Sequence, residues 1–387
     1  MTATKLAPSQ AAAQSLASGA AGTALLRIEL ALTGAGTWQE AAVAITAATA
    51  EPVDGSPSGC LLHGAPALAF VLHAAQADGQ PRYESAVREL DRHVQRIARQ
   101  RLSAARERMT SGKPGTFGEH DLFYGLTGIG AVLLRTAPGS DTLADILGYL
   151  TTLATRPLHI DGLRVPGWWS ARDPDPLSPT PGGHANLGAA HGAAGILAFL
   201  SISVINGPKV SGQMEAISDL CEWFARWEQQ SEHGPWWPQW LTLGELHTGR
   251  VNQPGPGRPS WCYGAPGIAR ALQLAAIATG SPGRQADAED ALAASLADKQ
   301  LARLADAGLC HGIAGVYQTA ARAAADAVTT GIASHLPKVA AAIKPPADPA
   351  AEPDALLTGN IGVRLALETG RRSAPPISGW DACLLLI

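Results

Sequence analysis

Apolar and polar positions along this chain follow the period of helices, in two kinds of stretch. In the first, one apolar stripe runs through polar surroundings: Val87, Leu90, Val94 and Ile97; Leu143, Ile146, Leu147 and Leu150; Met214, Ile217, Leu220, Cys221, Phe224 and Trp227. Spacings of three and four predict amphipathic helices with one buried face, and Arg88, Glu89, Asp91, Arg92 and Gln95 supply the wet face of the first. In the second kind, as in Ile129–Leu134 and Ile196–Leu200, the run is apolar nearly all round. Such runs predict helices buried on every side.

Runs of the second kind follow a recurring glycine step. It reads Gly19-Ala-Ala-Gly22, Gly64-Ala-Pro-Ala67, Gly125-Leu-Thr-Gly128, Gly192-Ala-Ala-Gly195, Gly264-Ala-Pro-Gly267, Gly312-Ile-Ala-Gly315 and Gly359-Asn-Ile-Gly362. Only the second lacks its closing glycine. The first glycines are 45 to 72 residues apart, enough each time for two helices and their connections, so the chain reads as an α-hairpin repeat. Amphipathic helices alternating with wholly buried ones imply an outer ring around an inner ring. Seven such pairs predict an all-α fold, a seven-fold α/α toroid, as one domain over residues 1–387. The glycines let helix ends approach closely at a crowded axis.

Two long interruptions, at 155–187 and 233–259, are loop insertions with room for short strands. They carry Trp168, Trp169, Trp236, Trp237 and Trp240 among prolines and glycines, as a cap on the toroid's mouth or as a surface for a peptide. Residues 340–354, with Pro345, Pro346, Pro349 and Pro353, read as a linker.

Composition narrows the chemistry. Charged residues make up 16% and the net charge is −4, so no basic field points to nucleic acid or a membrane surface. Five cysteines, an odd number in a long chain, are no disulfide framework and favour metal-binding or catalytic thiols inside the cell. The N-terminal stretch, Ala-diluted with one early Lys, reads as helical core rather than a secretory signal. No apolar run approaches the roughly 18 residues of a spanning helix, and the expected location is cytoplasmic.

Reactive groups cluster just ahead of the glycine steps. Asp121 precedes Gly125 by four residues, His191 immediately precedes Gly192, Cys262 precedes Gly264 by two, and Cys310-His311 immediately precedes Gly312. In a closed toroid equivalent positions converge on one end of the axis, so these residues share one pocket. Two thiols and an imidazole are a zinc ligand set that leaves a fourth position open. Neighbouring Cys310 and His311 both ligate only from a non-helical turn, because adjacent helical side chains diverge by about 100°. Each residue also has a plainer role open to it. Asp121 could favour a helix dipole, His191 pack at a helix start, and Arg258, four residues before Cys262, be a surface cation. Cys60, Cys221 and Cys383 read as small buried hydrophobes, and the rival metal pair Cys60-x-x-His63 as helix-end packing. His120 and His184 are weaker candidates.

The motifs WCYGAPG (261–267), CHGIAG (310–315), AHGAAG (190–195) and DLFYGLTGIG (121–130), with WDACLLLI at 380–387, give the chain its resemblance to the lanthionine synthetase C-like cyclases, of the stand-alone class I type. It covers nearly the whole chain. What it implies is one zinc ion per chain on Cys262, Cys310 and His311, with His191 as acid or base beside it and Asp121 hydrogen-bonded nearby. It also implies Arg258 at the site's edge, and Trp261 and Tyr263 lining the pocket. The implied reaction adds a peptide cysteine thiolate to dehydroalanine or dehydrobutyrine, forming lanthionine or methyllanthionine rings. The implied partners are a dehydrated precursor peptide with its leader, a dehydratase and a peptide transporter at a membrane-associated complex. Ala67 and the short 155–187 insertion depart from the family pattern. Rival functions are a glutathione-adding relative, a zinc prenyltransferase-like protein and a non-catalytic peptide-binding scaffold. The prenyltransferase needs an Asp ligand and a basic diphosphate site, and no dense Lys/Arg cluster lies near the motifs.

Overall fold

Every glycine step opens a helix, with its first glycine as the N-cap. The computed structural model describes residues 12–175, 177–344 and 354–387. The seven helices so opened are α1 (Ala20–Leu32), α3 (Ala65–Ala74), α5 (Leu126–Thr136), α7 (Ala193–Asn206), α9 (Ala265–Thr279), α11 (Ile313–Ala325) and α13 (Asn360–Arg372). Each packs on the next and α13 packs on α1, so the inner ring closes. Outside lie α2 (Trp38–Ala48), α4 (Glu84–Thr110), α6 (Asp141–Thr155), α8 (Gln213–Trp227), α10 (Pro282–Ser295) and α12 (Gly331–Ala342). Burial follows the two sequence patterns. Helix α7 is buried at every residue from Ala193 to Val204, whereas α4 buries only the stripe of Val87, Leu90, Val94, Ile97, Ala98, Leu102 and Ala105. The fold is the predicted α/α toroid.

One departure concerns the seventh pair. Among the described residues α13 has no outer partner, because Ser373 turns into the left-handed region (φ 49°) and Pro375 and Pro376 follow. The chain then turns inward, and a 3-10 turn at Trp380–Leu384 enters the toroid's bore. Its contacts come from four inner helices around the ring. Buried Glu29 of α1 accepts from Ile377 N (3.1 Å) and Ser378 N (2.8 Å), and Arg135 of α5 donates to the carbonyls of Ser378 and Gly379. Arg322 and Gln318 of α11 hold Asp381 at 2.6 to 2.8 Å, and fully buried Arg270 of α9 donates to Leu386 O at 2.8 Å. These charges on otherwise apolar helices make an axial plug of residues 376–387.

The helix entries meet at the other end. A Cβ on Gly267 would lie 1.9 Å from the Trp261 carbonyl oxygen, and one on Gly315 1.8 Å from that of Leu309. Only glycine admits so close a fold-back. The step that ends in Ala67 takes a different turn: Gly64 adopts φ 72°, and Cys60 and His63 exchange backbone hydrogen bonds at 3.0 Å. Backbone bonds link neighbouring entry turns: Leu16 N to Leu62 O, Leu122 N to Ala190 O, Ala189 N to Cys262 O, Cys262 N to Cys310 O, Cys310 N to Leu357 O and Leu356 N to Ala17 O, all 2.7 to 3.2 Å. Between the second and third turns Arg101 of α4 bridges instead, donating to Gly59 O, Gly118 O and Tyr124 O.

The insertions, with the residues just ahead of the second, do hold short strands. β1 (Leu158–Ile160) pairs with β2 (Leu163–Val165), β4 (Gln229–Ser231) with β5 (Gly234–Trp236), and β3 (His184–Asn186) with β6 (Trp240–Thr242), all antiparallel. The β3–β6 pair ties the two insertions together. Trp168, Trp169, Trp236 and Trp237 are buried, with Trp168 edge-on to Trp223 and the Trp237 N–H on Phe224 O. Their large rings serve packing and offer a peptide no surface. The N-terminal stretch in part, and most of the proline-bearing linker, lie outside the described residues.

Removing the plug's buried anchor leaves Arg322 facing an apolar bore. Asp381→Ala is expected to lower stability by about 3–5 kcal/mol, measured by urea unfolding; a loss below about 1 kcal/mol would show that the plug is not held by this pair.

Candidate functional site

Four consecutive entry turns carry the reactive residues, and the backbone links above run directly between them. Cys262 comes from the turn before α9, and Cys310 and His311 from the turn before α11, where neither is helical. One ligand atom from each lies within 4.8 Å of the other two. Cys262 is buried and the other two half-buried. The Cys310 thiol, donating to the Cys262 sulfur, lowers the Cys262 pKa against the opposing effect of burial; His311 and Ser260 assist. The same thiolate raises Cys310 and, as first cause, raises His311. Three donors thus crowd around shared protons, and a dication among them would take the protons' place. Soft thiolates with one imidazole are the donor chemistry of zinc.

Beside this cluster His191 Nδ1 and Asp121 Oδ2 are 2.6 Å apart. The Asp121 side chain is fully buried, and its other oxygen accepts from Tyr124 N at 2.6 Å. An ionised carboxylate only accepts, so the proton of this bond sits on Nδ1 and Nε2 faces outward. Phe117, Phe123, Tyr124 and Tyr263 surround the imidazole at ring-centre distances of 5.4 to 6.2 Å. Tyr263, next to Cys262, thereby bridges the two groups. Its hydroxyl accepts from Asn186 Nδ2 at 3.2 Å, and burial raises its pKa to about 12, so it stays a neutral phenol.

The lanthionine synthetase C-like protein family model matches residues 10–341. The chain belongs to that family. It is 23% identical over 274 residues to the nisin biosynthesis protein NisC of Lactococcus lactis subsp. lactis, a match spanning 68% of this chain and 62% of that relative's length. A solved structure titled nisin cyclase superposes with a TM-score of 0.78 at 19% identity, covering 97% of this chain and 92% of that one. The likeness is one of fold.

Other expected residues of this family member fall as follows. Exposed Arg258 stands at the mouth, where its charge acts on Cys310 and His311. Trp261, 1% exposed, lies beneath the site, packed on Phe123 and donating to Leu384 O of the plug at 3.2 Å, so of the two expected lining aromatics only Tyr263 keeps accessible area. The Cys60/His63 pair has no third ligand: His63 Nε2 meets Asp54 Oδ2 at 3.2 Å, and among the described residues the one three-ligand group is Cys262/Cys310/His311. Burial raises Cys60, Cys383 and Cys221, the last to about 11, as fits packing thiols. No helix among the described residues is long and apolar enough to cross a membrane.

Sequence reasoning missed Asn186, Ser260, Phe117 and Phe123. Of these only Phe123, inside the DLFYG motif, had a signal. Ser260 Oγ lies 3.5 Å from Cys262 Sγ and accepts from Tyr263 N. His120 and His184 are wholly buried, His184 edge-on to Phe117 at 5.1 Å, and burial lowers both to about 4.

These histidines give a pH test. Between pH 6.5 and 4 the unfolded chain binds protons that the folded chain refuses, so stability is full above 6.5 and is lost as pH falls through that window, on the order of 3 kcal/mol per histidine. In chelator-treated protein the urea midpoint is expected to fall from pH 7 to 4.5, and His184→Gln to flatten that fall; equal slopes for both proteins would contradict a buried neutral His184.

Proposed function

We propose that this chain is a zinc-dependent lanthipeptide cyclase, which adds cysteine thiolates of a dehydrated ribosomal precursor peptide to its own dehydroalanine or dehydrobutyrine residues. The observation that carries the proposal is the two-thiol, one-imidazole cluster lying one residue from a tyrosine that packs against the His191–Asp121 pair. Cys262, Cys310 and His311 would hold the metal. Bound there, zinc supplies a Lewis acid that keeps a substrate thiol deprotonated at neutral pH, and thiolate co-ligands leave that sulfur nucleophilic.

The substrate sulfur forms a bond to the β-carbon of the dehydro residue, and the C=C pair moves onto the α-carbon as an enolate. His191 takes up at Nε2 the proton that the substrate thiol releases and delivers it from there to that α-carbon. The net change is addition of S–H across C=C, with no atom lost. Asp121 holds His191 in the needed tautomer and stabilises its charged form. Neutral Tyr263 packs against His191 as a further hydroxyl-bearing wall of the site, and Arg258 would meet the peptide at the mouth. Because the plug closes the bore, the peptide enters and leaves by one end. Holding both reacting segments there raises their effective concentration and selects the ring that closes. The leader-bearing precursor arrives from a dehydratase and departs to a transporter.

His191→Ala is expected to slow thiol consumption on a dehydrated precursor by about 100- to 10,000-fold while metal content stays at the parent level. Cyclisation unchanged in that variant would contradict the assignment. A glutathione-sized mass gain with substrate thiols intact would favour the glutathione-adding relative.

A further inference from the structure

The carboxylate of Asp306 reaches the ring of a metal-ligand candidate without joining the ligand group. Its Oδ2 is 3.5 Å from His311 Nε2, and its Oδ1 accepts from Gly308 N at 2.9 Å. Asp306 O also accepts from Ile313 N at 3.2 Å, the first residue of α11. Asp306 is thus pinned at both ends of the turn that carries Cys310 and His311. Gly312 makes room for it, since a Cβ there would lie 2.3 Å from Asp306 Oδ1. The three-ligand group contains Cys262, Cys310 and His311 and not Asp306, so the carboxylate is no fourth ligand. His311 is 29% exposed, and nothing in its burial stops the ring from turning.

From this arrangement we infer that Asp306 is a positioning residue, fixing the tautomer and angle of His311 for metal binding. Facing Nε2 at ion-pair distance, the carboxylate would favour a ring proton there, which would leave Nδ1 the lone pair that a metal needs. Carboxylate-supported histidines are more basic ligands and are held in one orientation. The inference rests on the zinc assignment above.

Asp306→Asn separates this role from the turn. The amide oxygen still accepts from Gly308 N, while the amide N–H group faces Nε2 and favours the tautomer with the proton on Nδ1. The variant is expected to bind Zn2+ about 10- to 100-fold more weakly in competition with a chromophoric chelator. Metal-free unfolding should match the parent, and the ring 15N shifts of His311 should move away from the Nε2–H form. If Asp306→Asn fails to fold, Asp306→Ser, which keeps an acceptor for Gly308 N, is held to the same affinity criterion. Zinc uptake by the parent with variant affinity within about twofold would overturn this inference alone. A parent that takes up no zinc would overturn the zinc assignment, and this inference with it.

Discussion

Backbone hydrogen bonds between neighbouring entry turns, at the crowded end of the inner ring, hold the rest of the structure in place. Within single turns the chain also folds back so tightly that the carbonyls of Trp261 and Leu309 press on Gly267 and Gly315, where any side chain would collide. The bond from Cys262 N to Cys310 O is one of these links, so the separation of the two thiols is set by main chain. The links from Leu122 to Ala190 and from Ala189 to Cys262 do the same for Asp121, His191 and the thiols. Residues 190 positions apart in sequence are thus held in register by a few bonds, before any ligand arrives. Such preorganisation is what a site for one reaction geometry needs.

The opposite end is closed by the chain itself. Buried charges are costly unless paired, and Glu29, Arg135, Arg270, Arg322 and Asp381 each find a partner within residues 376–387 or next to them. The same segment supports Trp261 from below, through Leu384 O. Plug and thiol–imidazole cluster are therefore linked through one indole. The bore is filled from one end, and the thiol–imidazole cluster and the His191–Asp121 pair lie at the other.

Much of this was legible in the sequence, because repetition and helical period act locally. Seven glycine steps marked seven inner helices, and an all-round apolar run told α7 from the single stripe of α4. Cys262, Cys310, His311, His191 and Asp121 were legible as candidates because each stands one to four residues ahead of a step. What was not legible depends on contacts between distant segments. Asn186 reaches Tyr263 only because β3 pairs with β6 across two insertions. Arg101 replaces a missing backbone link from an outer helix, and Asp306 looks in sequence like any loop carboxylate. The paired tryptophans invited a peptide-binding role that their burial removes. Among the described residues no outer helix follows α13, because Pro375 and Pro376 come next and the chain is drawn into the bore by partners on four inner helices.

The central claim is that Cys262, Cys310 and His311 form a zinc site. Its most direct test is metal content per chain in the purified protein and in Cys262→Ala, Cys310→Ala and Cys60→Ala. The account predicts one zinc per chain, lost in the first two variants and kept in the third. Protein that neither holds nor takes up zinc, or that loses it only in Cys60→Ala, would contradict it.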